Sequence, residues 1–269
     1  MEPTLDISHD AASGELTIRW NSQDGRIYNL RSEADLSAGE PITWPIFDGN
    51  ENIEATPPEN TLEFALPGDP ERFFVVEEFP TPPVTVFTEN FDSTAAGTLP
   101  TGWTTGFDAG DTLMNTAWEL GPPSSVGPVP PGAPLPSAPN CVGTNLAANY
   151  GLSSNTWQRT PGTIDLTGAA AATLVFQPWV DMDDFGNLDR GTVRVLDGSD
   201  LSGGTVTELG VVQANITGFS PGAWVEFSAE LPAAALGQIV ALEFGFVSDD
   251  FADFDASGWY IDDVEVLVR

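Results

Sequence analysis

The side chains best equipped for chemistry are carboxylates, and two stretches carry them in strand-like settings. Gly258–Val268 alternates apolar side chains with Asp262, Asp263 and Glu265. Alternation at period two puts Tyr260, Asp262, Val264 and Val266 on one face and Trp259, Ile261, Asp263, Glu265 and Leu267 on the other. Neither face is purely apolar, and a half-buried carboxylate is costly unless a donor or a cation meets it. About 170 residues earlier, Val84–Asp92 reads as another strand that ends in acidic and amide oxygens. Hard oxygens converging from strand ends and loops are the ligand chemistry of calcium. The expectation is that these two strands pair and share a calcium ion held by Asn90, Asp92, Asp263 and Glu265. Asp108 and Asp111, from the loop Gly106–Asp111, would complete the set. A register shift of one residue would bring in Glu89 or Asp262 instead.

Other chemistries lack their parts. His9 is the only histidine and lies near the N-terminus, and the chain contains no lysine. Ser-His and Cys-His nucleophile systems, histidine zinc sites and Schiff-base chemistry are therefore unsupported. Neither a phosphate loop nor a Gly-x-Ser-x-Gly elbow is present. An acid-pair glycosidase is the one catalytic alternative left by 40 acidic residues. Of two further acidic runs, Asp181–Asp189 reads first as a solvated loop and otherwise as an independent ion site, and Ser248–Asp255 as an acidic loop beside the primary site whose alternating aromatics suit a contact surface. The former resembles the start of an EF-hand loop, but Phe185 and Thr192 occupy its fifth and twelfth places.

Eight tryptophans raise the question of sugar binding, which needs flat aromatic faces beside hydrogen-bonding groups. Trp103, Trp118, Trp179, Trp224 and Trp259 read as core. Trp157, Phe185, Phe251 and Phe254, together with Tyr150, fall in expected loops and form the candidate ligand platform.

The elements that must position these groups are strands. Short runs rich in Val, Ile, Thr and aromatics are bounded by turn residues, with 27 glycines and 23 prolines supplying the punctuation. This predicts an all-β protein of two β-sandwich domains. Residues 1–79, with strands at Leu5–Ser8, Glu15–Trp20, Arg26–Arg31, Ile42–Phe47, Thr61–Leu66 and Arg72–Phe79, fit a small sandwich. A proline-rich linker, 80–83, leads to a second domain over 84–269, with eight or more strands in jelly-roll or similar order. Its strands are expected at 84–91, 117–120, 173–179, 191–196, 205–212, 224–229, 239–247 and 258–268. Pro122–Pro139 holds eight prolines in eighteen residues and reads as an extended surface strap.

Charge bounds the partners. A formal net charge of -32 repels phosphate backbones and anionic lipid, so neither nucleic acid nor membrane insertion is expected. The single cysteine, Cys141, leaves packing or metal to do what an internal disulfide would. No basic-then-apolar signal segment opens the sequence, as in a mature or excised fragment of a longer exported protein, or equally in a cytosolic one.

An ordered set of motifs carries a resemblance over roughly residues 84–269: Glu89-Asn90-Phe91-Asp92, Leu99-Pro100-Thr101-Gly102-Trp103, Trp118-Glu119-Leu120-Gly121, Asn140 to Leu146, and Gly258 to Val264. Together they resemble the MAM-type jelly-roll modules found beside immune-inhibitor-A-like secreted peptidases and in the cleaved-adhesin repeats of bacterial surface proteases. The N-terminal runs Leu16–Trp20, Tyr28–Ser32 and Arg72–Val76 loosely resemble fibronectin-III modules. What the resemblance implies is a non-catalytic, calcium-stabilised sandwich at the cell surface or outside the cell, with metal oxygens at the first strand, the following Asp-containing loop and the last strand. The expected partners are a polysaccharide or a cell-surface glycan or protein, and the other domains of a larger exported protein. The alternative is a structural spacer or assembly subunit without a soluble ligand.

Overall fold

The structure is a computed structural model describing residues 3–130, 132–183, 185–202, 206–218, 223–251 and 256–269. It is all-β, and the chain forms two compact units, Met1–Pro82 and Pro83–Arg269.

The first unit has six strands: β1 Leu5–Asp10, β2 Glu15–Asn21, β3 Arg26–Glu33, β4 Ile53–Glu54, β5 Glu59–Ala65 and β6 Phe73–Pro80. They make two three-stranded antiparallel sheets, β1-β2-β5 and β4-β3-β6. Alternation in β2 turns Leu16, Ile18 and Trp20 inward onto Tyr28, Leu30 and Val76. Trp20 and Tyr28 meet edge to face at 5.7 Å, and the Tyr28 hydroxyl accepts the Gln23 N–H. The strand expected at Ile42–Phe47 is instead a 3-10 turn, Pro41–Thr43, followed by an isolated bridge between Ile46 and Arg31. Pro41 and Pro45 each lack the N–H that a ladder needs, which accounts for the difference. Pro80, expected in the linker, is the last residue of β6, opposite Arg26.

The second unit adds β7 Val84–Glu89, β8 Thr104–Phe107, β9 Trp118–Gly121, β10 Cys141–Thr144, β11 Asn155–Arg159, β12 Ile164–Asp165, β13 Ala172–Asp181, β14 Arg190–Asp197, β15 Glu208–Ile216, β16 Phe227–Glu230, β17 Ile239–Val247 and β18 Gly258–Val268. Two six-stranded sheets pack as a jelly-roll sandwich. One runs β16-β13-β18-β10-β9 with β7 also on β18; the other runs β15-β14-β17-β11-β8 with β12 also on β17. Their inner faces bury Trp259 among Phe176, Phe244 and Trp118, at centroid distances of 6.4, 5.9 and 5.5 Å. Removing a ring so placed costs about 3–5 kcal/mol.

The last strand departs from its expected parity. Between β18 and β13 the register shifts, with Glu265 opposite Val175 but Asp262 opposite Gln177. Two residues of β18 therefore span one of β13, a β-bulge in which Asp263 takes φ 47°. The extra residue flips the alternation, so that Trp259, Ile261, Val264 and Val266 all face the core. The inner face is fully apolar after all. On the outer face Tyr260 joins Cys141, Leu146 and Trp179 in a second cluster, packed by Leu135 and Trp224. The proline-rich segment is a strap over this face: a Cβ on Gly127 would lie 2.4 Å from the Tyr260 ring. Glycine is required there by close approach.

Candidate functional site: a knot of oxygens under the strap

β18 divides its free edge between two partners. Tyr260 and Ile261 pair with β10, while Val264–Val268 pair with β7, Glu89 lying opposite Val264. The two distant acidic strands thus lie side by side in one sheet. The bulge sits at the handover between them and delivers Asp262 to the outer face, beneath the end of the strap.

Asp262 is fully buried. Its carboxylate accepts the Ser137 N–H and Oγ–H, both at 3.2 Å, and the Asp263 N–H at 2.8 Å. The Ser137 hydroxyl also reaches the Asn90 carbonyl at 3.3 Å. Asn140 closes the strap: its N–H donates to Asp92 Oδ1 at 3.0 Å, and its Nδ2 donates to the carbonyls of Phe91 and Thr94. Asn90 Nδ2 donates to Asp92 Oδ2, and the Phe91 N–H donates to Glu89 Oε1. Phe91, itself buried, holds φ 63°. Two non-glycine residues in the left-handed region, Phe91 and Asp263, therefore bracket one knot, and such backbone concentrates at functional sites.

Electrostatics distinguish this place. Burial, and then the charge of neighbouring Asp263, push the Asp262 carboxyl up to about 7, outweighing its hydrogen bonds to Ser137 and Asp263. The Cys141 thiol, raised first by burial and then by the Asp262 charge, is pushed up as well. Arginine is absent from the balance, because the ion pairs among the described residues take Glu59, Glu77, Glu78, Asp69, Glu208 and Glu243.

The six expected metal ligands are distributed unequally. Asn90 and Asp92 come together with Asp263 through Asp262 and the strap. Glu265 lies beyond the bulge, opposite Thr88 and Val175. Asp111 is buried elsewhere, at the end of β8, where its carboxylate accepts the N–H groups of Met114 and Asn155. Asp108, exposed, donates its backbone N–H to the Asn155 carbonyl in the same loop. Among the described residues no three Asp, Glu, His or Cys side chains gather into a ready cage. What fits the implied cation at the knot is donor chemistry: oxygens throughout, and a buried carboxylate beside a second one with no positive partner. Asp262, which the sequence offered only on a register shift of one residue, stands ahead of Asp263 at the knot because the bulge supplies that shift.

The other acidic loop is occupied structurally. Asp181 accepts the Ser257 N–H and hydroxyl, and Asp189 accepts the Asp249 N–H and the Tyr150 hydroxyl. Burial raises both Asp189 and Tyr150. The expected aromatic platform does not lie in one kind of place. Trp157 belongs to β11, on the outer face of the second sheet, not to a loop. It packs against Gly106, where a Cβ would come within 2.5 Å of its ring, and the Arg159 guanidinium stacks on it at 3.7 Å. Arg159 and Arg194 flank the buried Glu243 on the same face. Phe185 opens a 3-10 turn, Phe185–Asn187; Phe251 is 63% exposed; Phe254 lies outside the described residues.

No family model matches the sequence, and no curated protein matches it. Similar solved structures include the K1 cleaved adhesin domain of Lys-gingipain from Porphyromonas gingivalis, at 22% identity and TM-score 0.38, covering 69% of this chain and 98% of that one. A cyclase from Fischerella sp. is similar at 16% identity and TM-score 0.46, covering 70% and 98%. The N-terminal CBM22-1-CBM22-2 tandem domain of Xyn10C from Paenibacillus barcinonensis is similar at 9% identity and TM-score 0.40, covering 99% and 91%. No helix among the described residues is long and apolar enough to cross a membrane.

Proposed function

We propose that this chain is a non-catalytic, calcium-stabilised binding region of a larger exported protein, acting outside the cell or at its surface on a polysaccharide, glycan or surface protein. The observation that carries the reading is the buried carboxylate Asp262, with no arginine paired to it, at the junction of strap, first jelly-roll strand and last strand. Calcium would be held there by Asn90, Asp92, Asp262 and Asp263, and would supply the positive charge that this junction otherwise lacks. The chain's own residues do the rest: Ser137 and Asn140 tie the strap to the 89–94 loop, so one ion would fix the covering of the outer face.

A second reading has one observation in its favour. A carboxyl pushed up to about 7 beside another acid is the kind of pair an acid-pair glycosidase needs. Against it stands access, because Asp262 is fully buried and each oxygen already accepts a hydrogen bond. A general acid must touch the proton it transfers.

A glycan array probed in calcium and again in chelator tests the first reading. Retention of specific glycans, stronger with calcium and with every glycan recovered unaltered, is the expected result. Released sugar from any spot would favour the glycosidase, and an array blank in both buffers would remove glycan binding.

A further inference from the structure

The strap does not cover the whole outer face of its sheet. It leaves an open cleft of about 410 Å³ lined by Pro134 and Pro136 of the strap, Gln177 of β13, and Ala223 and Trp224 on the approach to β16. This lies within the usual size of small-molecule and cofactor sites, about 300–1,000 Å³. Trp224 also packs on the Trp179 and Tyr260 cluster, so its ring is supported from beneath while it lines the cleft. Gln177 stands opposite Asp262 in the β13–β18 ladder. Its amide makes no hydrogen bond to another described residue, leaving two donors and an acceptor available.

We infer that this cleft binds a sugar residue of a neutral polysaccharide, stacked on Trp224 and hydrogen-bonded by Gln177. The inference rests on the polysaccharide-binding reading above and gives it a place. The lining decides the ligand class. None of the five residues is ionisable, so the cleft offers nothing to pair with a phosphate, sulfate or uronate. The surrounding charge, -32 over the chain, repels such groups as well. A wholly apolar ligand would leave the Gln177 amide desolvated without a partner, which is costly. A sugar ring has an apolar C–H face for indole and proline, and hydroxyls at its rim for an amide that both donates and accepts. The comparable cleft of 380 Å³ beside β9 includes Glu119, whose carboxylate already accepts the Leu146 N–H. Its one aromatic residue, Trp118, is buried, and it has no side-chain amide, so it offers no such pairing of ring and unengaged amide.

Affinity electrophoresis in calcium through gels containing a neutral β-glucan, xylan or mannan, or an acidic polygalacturonate, tests this on the full chain. Retardation by a neutral polymer is expected, with at least a tenfold weaker affinity for both Trp224→Ala and Gln177→Ala. The second variant removes no hydrogen bond to a described residue, so its melting temperature should match that of the parent even if Trp224→Ala loosens the cluster beneath. Retardation equal in parent and both variants would overturn the cleft while leaving polysaccharide binding standing at another surface. Retardation by polygalacturonate alone would overturn the neutral class. No retardation by any polymer would overturn the cleft and the reading on which it rests.

Discussion

Asp262 concentrates the argument at the scale of single residues. An unfolded aspartate titrates near 3.9, whereas burial and Asp263 push this one up to about 7 in the folded chain. Between those values the native state binds more protons than the unfolded state. The Asp262 contribution is therefore full below about pH 4 and is lost as pH rises through about 7. In chelator, the stability of the parent relative to Asp262→Asn should fall across that window and level off above it. Urea denaturation of both proteins from pH 4 to 8 measures the difference; parallel curves would mean that the carboxyl is not held out of water. The same residue shows a limit of reading by alternation. Asp262 and Asp263 were visible as the acids of the last strand, but their faces depend on a bulge, and no feature of Gly258–Val268 announces one.

At the scale of elements, legibility followed the apolar pattern. β2, β14 and β17 alternate or run apolar in the usual way and could be read directly. β11 could not, because its inward residues are polar: Thr156 is 1% and Gln158 0% exposed, while Trp157 and Arg159 face outward. Thr156 resolves its burial by donating to the Gly106 carbonyl. Gln158 does not, since its amide oxygen and nitrogen both lack a partner. An unpaired buried polar group costs about 1–3 kcal/mol. Gln158→Met, close in shape, should therefore raise the denaturation midpoint without changing the slope. A lower midpoint would reveal a partner for that amide, such as an internal water. Trp224 packs on the cluster of Cys141, Leu146, Trp179 and Tyr260, in keeping with its reading as core, but it is only half-buried and also lines a cleft, which alternation does not disclose.

At the scale of the whole molecule, the question is how a chain with forty acids and eight arginines holds two large sheets together without a disulfide. Six of the arginines pair with acids, five within the sheets, at Glu59, Glu77, Glu78, Glu208 and Glu243, and Arg72 with Asp69 in the turn before β6, and none of these six reaches the knot. That leaves the strap, the 89–94 loop and β18 joined by hydrogen bonds around uncompensated negative charge. Composition disclosed the excess of acid, and the motifs pointed to these strands. The placement of the strap end between them required the fold, since nothing in a proline-rich run says which carboxylate it will cover.

The most direct test is scanning calorimetry of the parent and of Asp262→Asn, each in chelator and in calcium, with sodium chloride matched for ionic strength to remove general screening. At a calcium concentration about one hundred times Kd, binding to the native state alone contributes about 2.7 kcal/mol, or a rise of roughly 5–11 °C for a unit of this size. That rise is expected in the parent, with little or none in Asp262→Asn. Superimposable parent scans in chelator and calcium, or an equal rise in the two proteins, would contradict it.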